Sequence, residues 1–219
     1  MTIAPDKLTA LVAAALGQDA SRAIADLVVP TDIPDSGPDT VTRAEFALAM
    51  TVALHWGLLA RVPTAAAYAV DCRAAGRPIM LDHGALRTVV LPDGAATGAI
   101  PAGAAAFARI LQPLGYSRAD IYPLDRLRMT GFAWCHDDFP DSIAQFFVSE
   151  LHVDRFDADF AAAATRIFAT TRDALDDSAN AALAAFAAHG QVTLAQALAA
   201  MPAIVAAFDR HHDVPSVRD

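Results

Sequence analysis

The stretch Leu81-Asp82-His83-Gly84-Ala85-Leu86-Arg87-Thr88-Val89-Val90 decides the fold. It is bounded by Pro78 before and by Pro92-Asp93-Gly94 after, and it reads as a β-strand in a chain whose flanks are helical by pattern. From it the reading extends forward. Ala102 to Leu114 sets Phe107, Ile110, Leu111 and Leu114 on one helical face, with Gly115 as the C-cap residue. Asp120 to Leu124 reads as a short strand, and Pro123 predicts that it lies at a sheet edge. Arg126 to Trp134 alternates as another strand. Gln145 to Val153 is rich in β formers and is the last. The order over residues 77–154 is β-α-β-β-β.

Residues 1–76 and 155–219 read as helical regions on either side of this module. The spacing predicts a helix from Lys7 to Gly17 and a second that follows Asp19-Ala20-Ser21 and ends near Val29, then a proline- and aspartate-rich loop over Pro30 to Thr40. Thr42 stands three residues before Glu45, a capping-box arrangement at the head of a long apolar helix carrying Phe46, Met50, Leu54 and Leu58. A further helix restarts at Pro63. Downstream, Asp157, then either Asp177-Ser178 or Asn180, and then Thr193 each open a helix, the last of which is expected to break at Pro202. The class is α+β, with the three regions expected in one compact domain.

The 219 residues carry Lys+Arg 16 against Asp+Glu 25, a formal charge of -9. With no basic run, nucleic acid and anionic membrane surfaces are excluded as main partners. Leu194 to Phe208, the most apolar stretch, is too short to span a bilayer. Met1 to Lys7 shows no basic region leading into an apolar one, so a cytoplasmic, soluble protein is expected. The cysteines, Cys72 and Cys135, lack metal-motif spacing.

The chemistry lies in the first strand. Side chains alternate faces along a strand, so His83, Ala85 and Arg87 point the same way, with His83 and Arg87 roughly 13 Å apart at Cα. An imidazole can ligate a divalent metal, and a guanidinium can hold a carboxylate in a bidentate fork. The pair suits a small carboxylate gripped at one end and activated by a metal at the other. Spacing alone favours instead a hydrogen-bonded, half-buried His83 and an Arg87 paired with a surface acid, because His-x-x-x-Arg is a weak pattern. Glu150, on the last strand with Phe146, Val148 and His152 on its face, is a second metal-ligand candidate, or else a partner of Arg126, Arg128 or Arg155. His136-Asp137-Asp138 reads as a loop whose aspartates cap or solvate, and His211-His212-Asp213 as a solvated tail. His55 and His189 carry no supporting pattern. No dinucleotide, P-loop, nucleophile-elbow or zinc-protease motif is present.

Four stretches together resemble the 2-oxoadipate dioxygenase/decarboxylase family of the vicinal oxygen chelate superfamily. They are Leu81 to Thr88, Leu114-Gly115-Tyr116, Tyr122 to Gly131 and Gln145 to His152. The resemblance is strongest from Leu81 to Phe160 and again over Phe208 to Val214. It implies a vicinal-oxygen-chelate-like β-α-β-β-β module flanked by N- and C-terminal helices. It also implies a mononuclear Fe(II) held by two histidines and one glutamate. The reaction it implies converts 2-oxoadipate and O2 to 2-hydroxyglutarate and CO2, in lysine breakdown. His83 matches the family's first metal histidine. Arg87 matches the arginine that holds a substrate carboxylate.

The family's second histidine and its glutamate come from a second module downstream, and this sequence ends at Asp219 before such a module begins. Glu150 is not at the position of the family's ligating glutamate. Three functions therefore follow from the sequence. The first is the family dioxygenase with half of its metal site on this chain. The second is a non-catalytic 2-oxo acid binding protein that keeps Arg87. The third is a metal-dependent isomerase or lyase completed by Glu150 and a partner chain in a homodimer.

Overall fold

The computed structural model describes residues 2–216. Its helical part is organised around the predicted capping box. The Thr42 side chain accepts the Glu45 amide, and the Glu45 carboxylate receives the Thr42 amide at 2.8 Å. This starts a long helix, α3 (Arg43–Arg61), whose first half is buried throughout. Glu45 is completely buried and also receives Lys7 Nζ at 2.9 Å, which fastens α1 (Pro5–Leu16) across the head of α3. A short helix, α2 (Ala20–Ala25), ends earlier than its apolar pattern suggests. The segment beyond it instead bonds to the start of the module, with Val28 donating to the Ile79 carbonyl at 2.8 Å. α4 (Pro63–Ala74) begins with proline at its first position, where the missing amide costs no helical bond.

The helical regions before and after the module meet. β1 (Thr40–Thr42), which was not apparent in the loop-like sequence, pairs antiparallel with β6 (Gln191–Thr193), opposing Val41 to Val192. Both valines are buried. α6 (Ala158–Phe168) and α7 (Asp177–His189) are capped by Asp157 and Asp176, and Gly190 ends α7 at a φ of 70°. α8 (Leu194–Ala206) packs against α1, α3 and α7. It runs through Pro202 without breaking, contrary to expectation. The buried face of Ala197, Ala200, Met201 and Ile204 holds it in place, and tertiary packing outweighs the lost backbone bond. No single described helix is long and apolar enough to cross a membrane.

The module follows the predicted order: β2 (His83–Val90), α5 (Ala104–Leu111), β3 (Tyr116–Leu124), β4 (Met129–His136) and β5 (Gln145–His152). The four strands form one sheet in the order β2-β5-β4-β3. β2 runs parallel to β5, while the other neighbours are antiparallel. β3 is therefore an edge strand, as Pro123 requires, and so is β2. One face of the sheet is core, where Phe132, Trp134, Phe146 and Val148 share a cluster with Ile110 and Leu111 of α5. The other face is left open by the described elements.

Candidate active site

The alternation along β2 is sharp. His83, Ala85 and Arg87 are exposed, and Gly84, Leu86 and Thr88 between them are partly covered. His83 and Arg87 thus share the open face. The His83 Nδ1 lies 2.6 Å from Asp82 Oδ2, so the neighbouring carboxylate orients the ring and leaves Nε2 directed away from it. Metal-ligating histidines are commonly held this way. Arg87 makes no ion pair among the described residues, so the surface-acid reading of it does not apply. Its Nη1 donates to Ser149 Oγ at 3.1 Å and to the Leu86 carbonyl at 3.4 Å.

The parallel register between β2 and β5 sets the rest of the face. Gln145 stands beside His83, Phe147 beside Ala85 and Ser149 beside Arg87. Phe147 lies across Gly131 of the next strand so closely that a Cβ there would come within 2.3 Å of the ring. Tyr122 of β3 continues the surface, with its ring centroid 5.6 Å from that of Phe147. The open face therefore offers an imidazole and a guanidinium at one margin and an apolar floor beside them.

Glu150 is not part of this face. It neighbours Thr88 in register, so it projects to the other side of the sheet, and its Oε1 accepts the Ala104 amide at the first residue of α5, at 2.6 Å. A carboxylate at a helix N-terminus is well placed electrostatically, and the closeness of Gly103 is what allows it to sit there. The structure does not bring Glu150 to His83, nor does it pair Glu150 with Arg126, Arg128 or Arg155. The proposed metal role of Glu150 has no geometric basis within this chain. His152 faces the same way as Glu150, with its Nε2 at 2.8 Å from Thr130 Oγ1.

Two other histidine motifs also differ from expectation. His136 ends β4 instead of lying in a loop and is wholly buried, with Nδ1 accepting the Asp138 and Phe139 amides. Burial holds its pKa below the usual histidine value. Asp138 pairs with Arg43 at 2.7 Å. The His211-His212 pair is anchored, not a free tail. His211 Nε2 bonds the Ala206 carbonyl at 2.7 Å, and the His212 ring stands edge-on to Phe168. Both line a cavity of about 330 Å³ along the free edge of β2, next to Arg87, Phe107 and Phe208. Among the described residues no group of three or more His, Cys, Asp or Glu is placed to hold a metal ion. His83 fits as one ligand of such an ion, and the described part of the chain does not complete the set.

A family model for 2-oxoadipate dioxygenase/decarboxylase matches residues 58–219. The chain belongs to that enzyme family. The match takes in the whole β-α-β-β-β module, with His83, Arg87 and Ser149 inside it. No curated protein matches the sequence. Among solved structures, a glyoxalase-superfamily protein from Ralstonia eutropha JMP134 is 40% identical over 98% of this chain, with a TM-score of 0.92. The hydroxyglutarate synthase from Pseudomonas putida is 17% identical over 80% of this chain, with a TM-score of 0.57, a likeness of fold. The same enzyme in complex with 2-oxoadipate gives 0.54 over 75%. This chain spans 67% of the Ralstonia chain and 44% of the first Pseudomonas chain. The vicinal oxygen chelate relationship expected from the sequence stands on the Ralstonia glyoxalase-superfamily structure.

Proposed function

We propose that this chain carries one half of the active site of an Fe(II)-dependent dioxygenase/decarboxylase acting on a 2-oxo dicarboxylic acid, converting 2-oxoadipate and O2 to 2-hydroxyglutarate and CO2. The observation that carries this reading is an oriented imidazole and a guanidinium with no ion pair among the described residues, side by side on one open strand face of a family member. His83 would supply one metal ligand through Nε2, with Asp82 holding the ring in place. When bound, the metal supplies chelation of the 2-oxo acid and activation of O2. Arg87 would hold the distal carboxylate through two parallel N–H donors, which fixes the acid end to end along β2. Phe147 and Tyr122 offer an apolar surface on which the aliphatic segment between would lie.

The remaining ligands are proposed to come from a second module laid over the open face. The family resemblance implies such a module, and about a third of the Ralstonia chain lies outside the part covered here. A homodimer that sets the open face of one copy against another is the alternative source. Glu150 supports neither arrangement, because its carboxylate is committed to α5, and this takes away the ligand on which the isomerase or lyase reading relied. Oxidation of 2-oxoadipate in lysine breakdown is the setting that the family resemblance suggests.

An anaerobic Fe(II) titration of the 219-residue chain, with and without 2-oxoadipate, together with its mass in solution, tests the proposal. The expected result is weak metal binding by a monomer that strengthens when 2-oxoadipate is present. Metal binding that His83→Ala leaves unchanged would remove His83 from the site. Binding of 2-oxoadipate with no response to Fe(II) would favour the non-catalytic binding protein.

A further inference from the structure

We infer that Ser149 is the positioning residue for Arg87 and so sets how this site recognises the distal carboxylate of its substrate; the inference rests on the reading of Arg87 given above. Ser149 is on the open face of β5, yet it is only 1% exposed. The Arg87 guanidinium reaches across from the neighbouring strand and donates to its hydroxyl at 3.1 Å. That hydroxyl has one proton, and it is directed to the Leu86 carbonyl at 3.3 Å. Its lone pairs therefore face Arg87, and Ser149 acts toward the guanidinium as an acceptor. Arg87 Nη1 also donates to the Leu86 carbonyl. One terminal nitrogen is thus fixed against two oxygens of the sheet, and Nη2 and Nε, which have no partner among the described residues, are available for the fork that a carboxylate needs.

The arrangement follows from strand register. Arg87 and Ser149 are direct partners in the parallel β2–β5 pair, and Thr88 Oγ1 bonds the Ser149 carbonyl at 2.9 Å, which locks the two strands at this point. A long arginine side chain on an exposed face ordinarily samples many rotamers, and ordering it on binding weakens affinity. A buried hydroxyl that holds one end in advance removes part of that cost. Glycine or alanine at position 149 would leave the strand intact and the guanidinium loose.

The test uses Ser149→Ala and Ser149→Thr in the 219-residue chain, each also in an Arg87→Ala background, with thermal melts to confirm folding. Ser149→Cys, whose thiol is a weak acceptor, serves if the alanine variant fails to fold. One readout is the nitrogen-15 NMR signal of the Arg87 Nε–H, assigned by its loss in Arg87→Ala. The other is calorimetric affinity for 2-oxoadipate against 2-oxohexanoate, which has the same chain without the distal carboxylate. Expected are an averaged Arg87 signal in Ser149→Ala and a roughly tenfold weaker 2-oxoadipate affinity, with 2-oxohexanoate unchanged. Ser149→Thr should restore both, and Ser149→Ala should have no effect once Arg87 is gone. An ordered Arg87 signal in Ser149→Ala, or an equal loss of affinity in the Arg87→Ala background, would overturn the positioning role. If Arg87→Ala weakens 2-oxoadipate and Ser149→Ala does not, the carboxylate reading stands and the Ser149 inference alone fails. An unaltered chain that does not distinguish the two acids removes the carboxylate reading, and the positioning role with it.

Discussion

Glu150 accepts the backbone amide of Ala104 at 2.6 Å, and this bond joins the last strand of the sheet to the first residue of α5. The carboxylate does the work of an N-cap from outside the helix, since Gly103 supplies no side chain of its own. Replacing Glu150 by alanine is expected to destabilise the fold by about 1–2 kcal/mol, the ordinary worth of such a cap. Gly103→Ala should cost a similar amount, because its Cβ would press on the same carboxylate and its φ is 65°. Urea unfolding measures both, and Fe(II) uptake should not change. A Glu150→Ala variant of unaltered stability that loses metal would return Glu150 to the metal site.

The β-α-β-β-β order was legible because its strands are bounded by proline and glycine and because Phe107, Ile110 and Leu111 repeat at a helical period. The shared face of His83 and Arg87 was legible for the same reason, since alternation is a local property of one strand. Pairing was not legible. Ser149 and Glu150 are adjacent in sequence, and only the register of β5 against β2 decides that Ser149 meets Arg87 while Glu150 turns away to α5. β1 and β6 are three residues each and lie on opposite sides of the chain's midpoint, so nothing local marks them as partners. The burial of His136 likewise depends on Tyr116 and Phe139 closing around it, which no neighbouring residue announces.

His136 makes the stability of the fold sensitive to acid. Its burial, more than its neighbours, lowers its pKa, and its Nδ1 must stay unprotonated to accept two backbone amides. In the unfolded chain the ring titrates near its ordinary value of about 6.5. Above that pH both states are neutral and the group contributes no pH dependence. As the pH falls below it, the unfolded chain takes up a proton that the folded chain resists, so stability declines until the lower folded pKa is reached. His55 shifts the same way by burial and adds to the slope. Unfolding free energies between about pH 7.5 and 5 should fall, and His136→Asn, which keeps an acceptor for the two amides, should flatten that fall. A slope unchanged by His136→Asn would assign the acid sensitivity elsewhere.

His83 is expected to be indispensable for O2-dependent decarboxylation in any active form of this protein. The imidazole is exposed and contributes little packing, so His83→Ala should fold with a stability within about 0.5 kcal/mol of the parent. Asp82→Asn should act more mildly, because it removes the charge that orients the ring and keeps the ligand. Changes to such outer partners typically cost about 10–100-fold in metal affinity. Oxygen uptake with 2-oxoadipate, beside Fe(II) affinity, measures both variants. Turnover retained in His83→Ala would end its role as a ligand.

Arg87→Lys separates charge from geometry at the carboxylate end. Lysine keeps the positive charge but offers a single ammonium in place of a planar fork, and it cannot place one nitrogen on Ser149 while presenting two to a ligand. If Arg87 acted only as a point charge, affinity for 2-oxoadipate would survive the change. The structure shows instead one nitrogen tied to Ser149 Oγ and the Leu86 carbonyl, with the others without a partner among the described residues, so a bidentate contact is what should be lost. The expected result is a roughly tenfold or greater loss for 2-oxoadipate, a charge-assisted bond's worth, with no change for 2-oxohexanoate. The preference between the two acids should therefore shrink toward unity in Arg87→Lys. A preference that persists at its original ratio would show that the distal carboxylate is read by some other group on the open face.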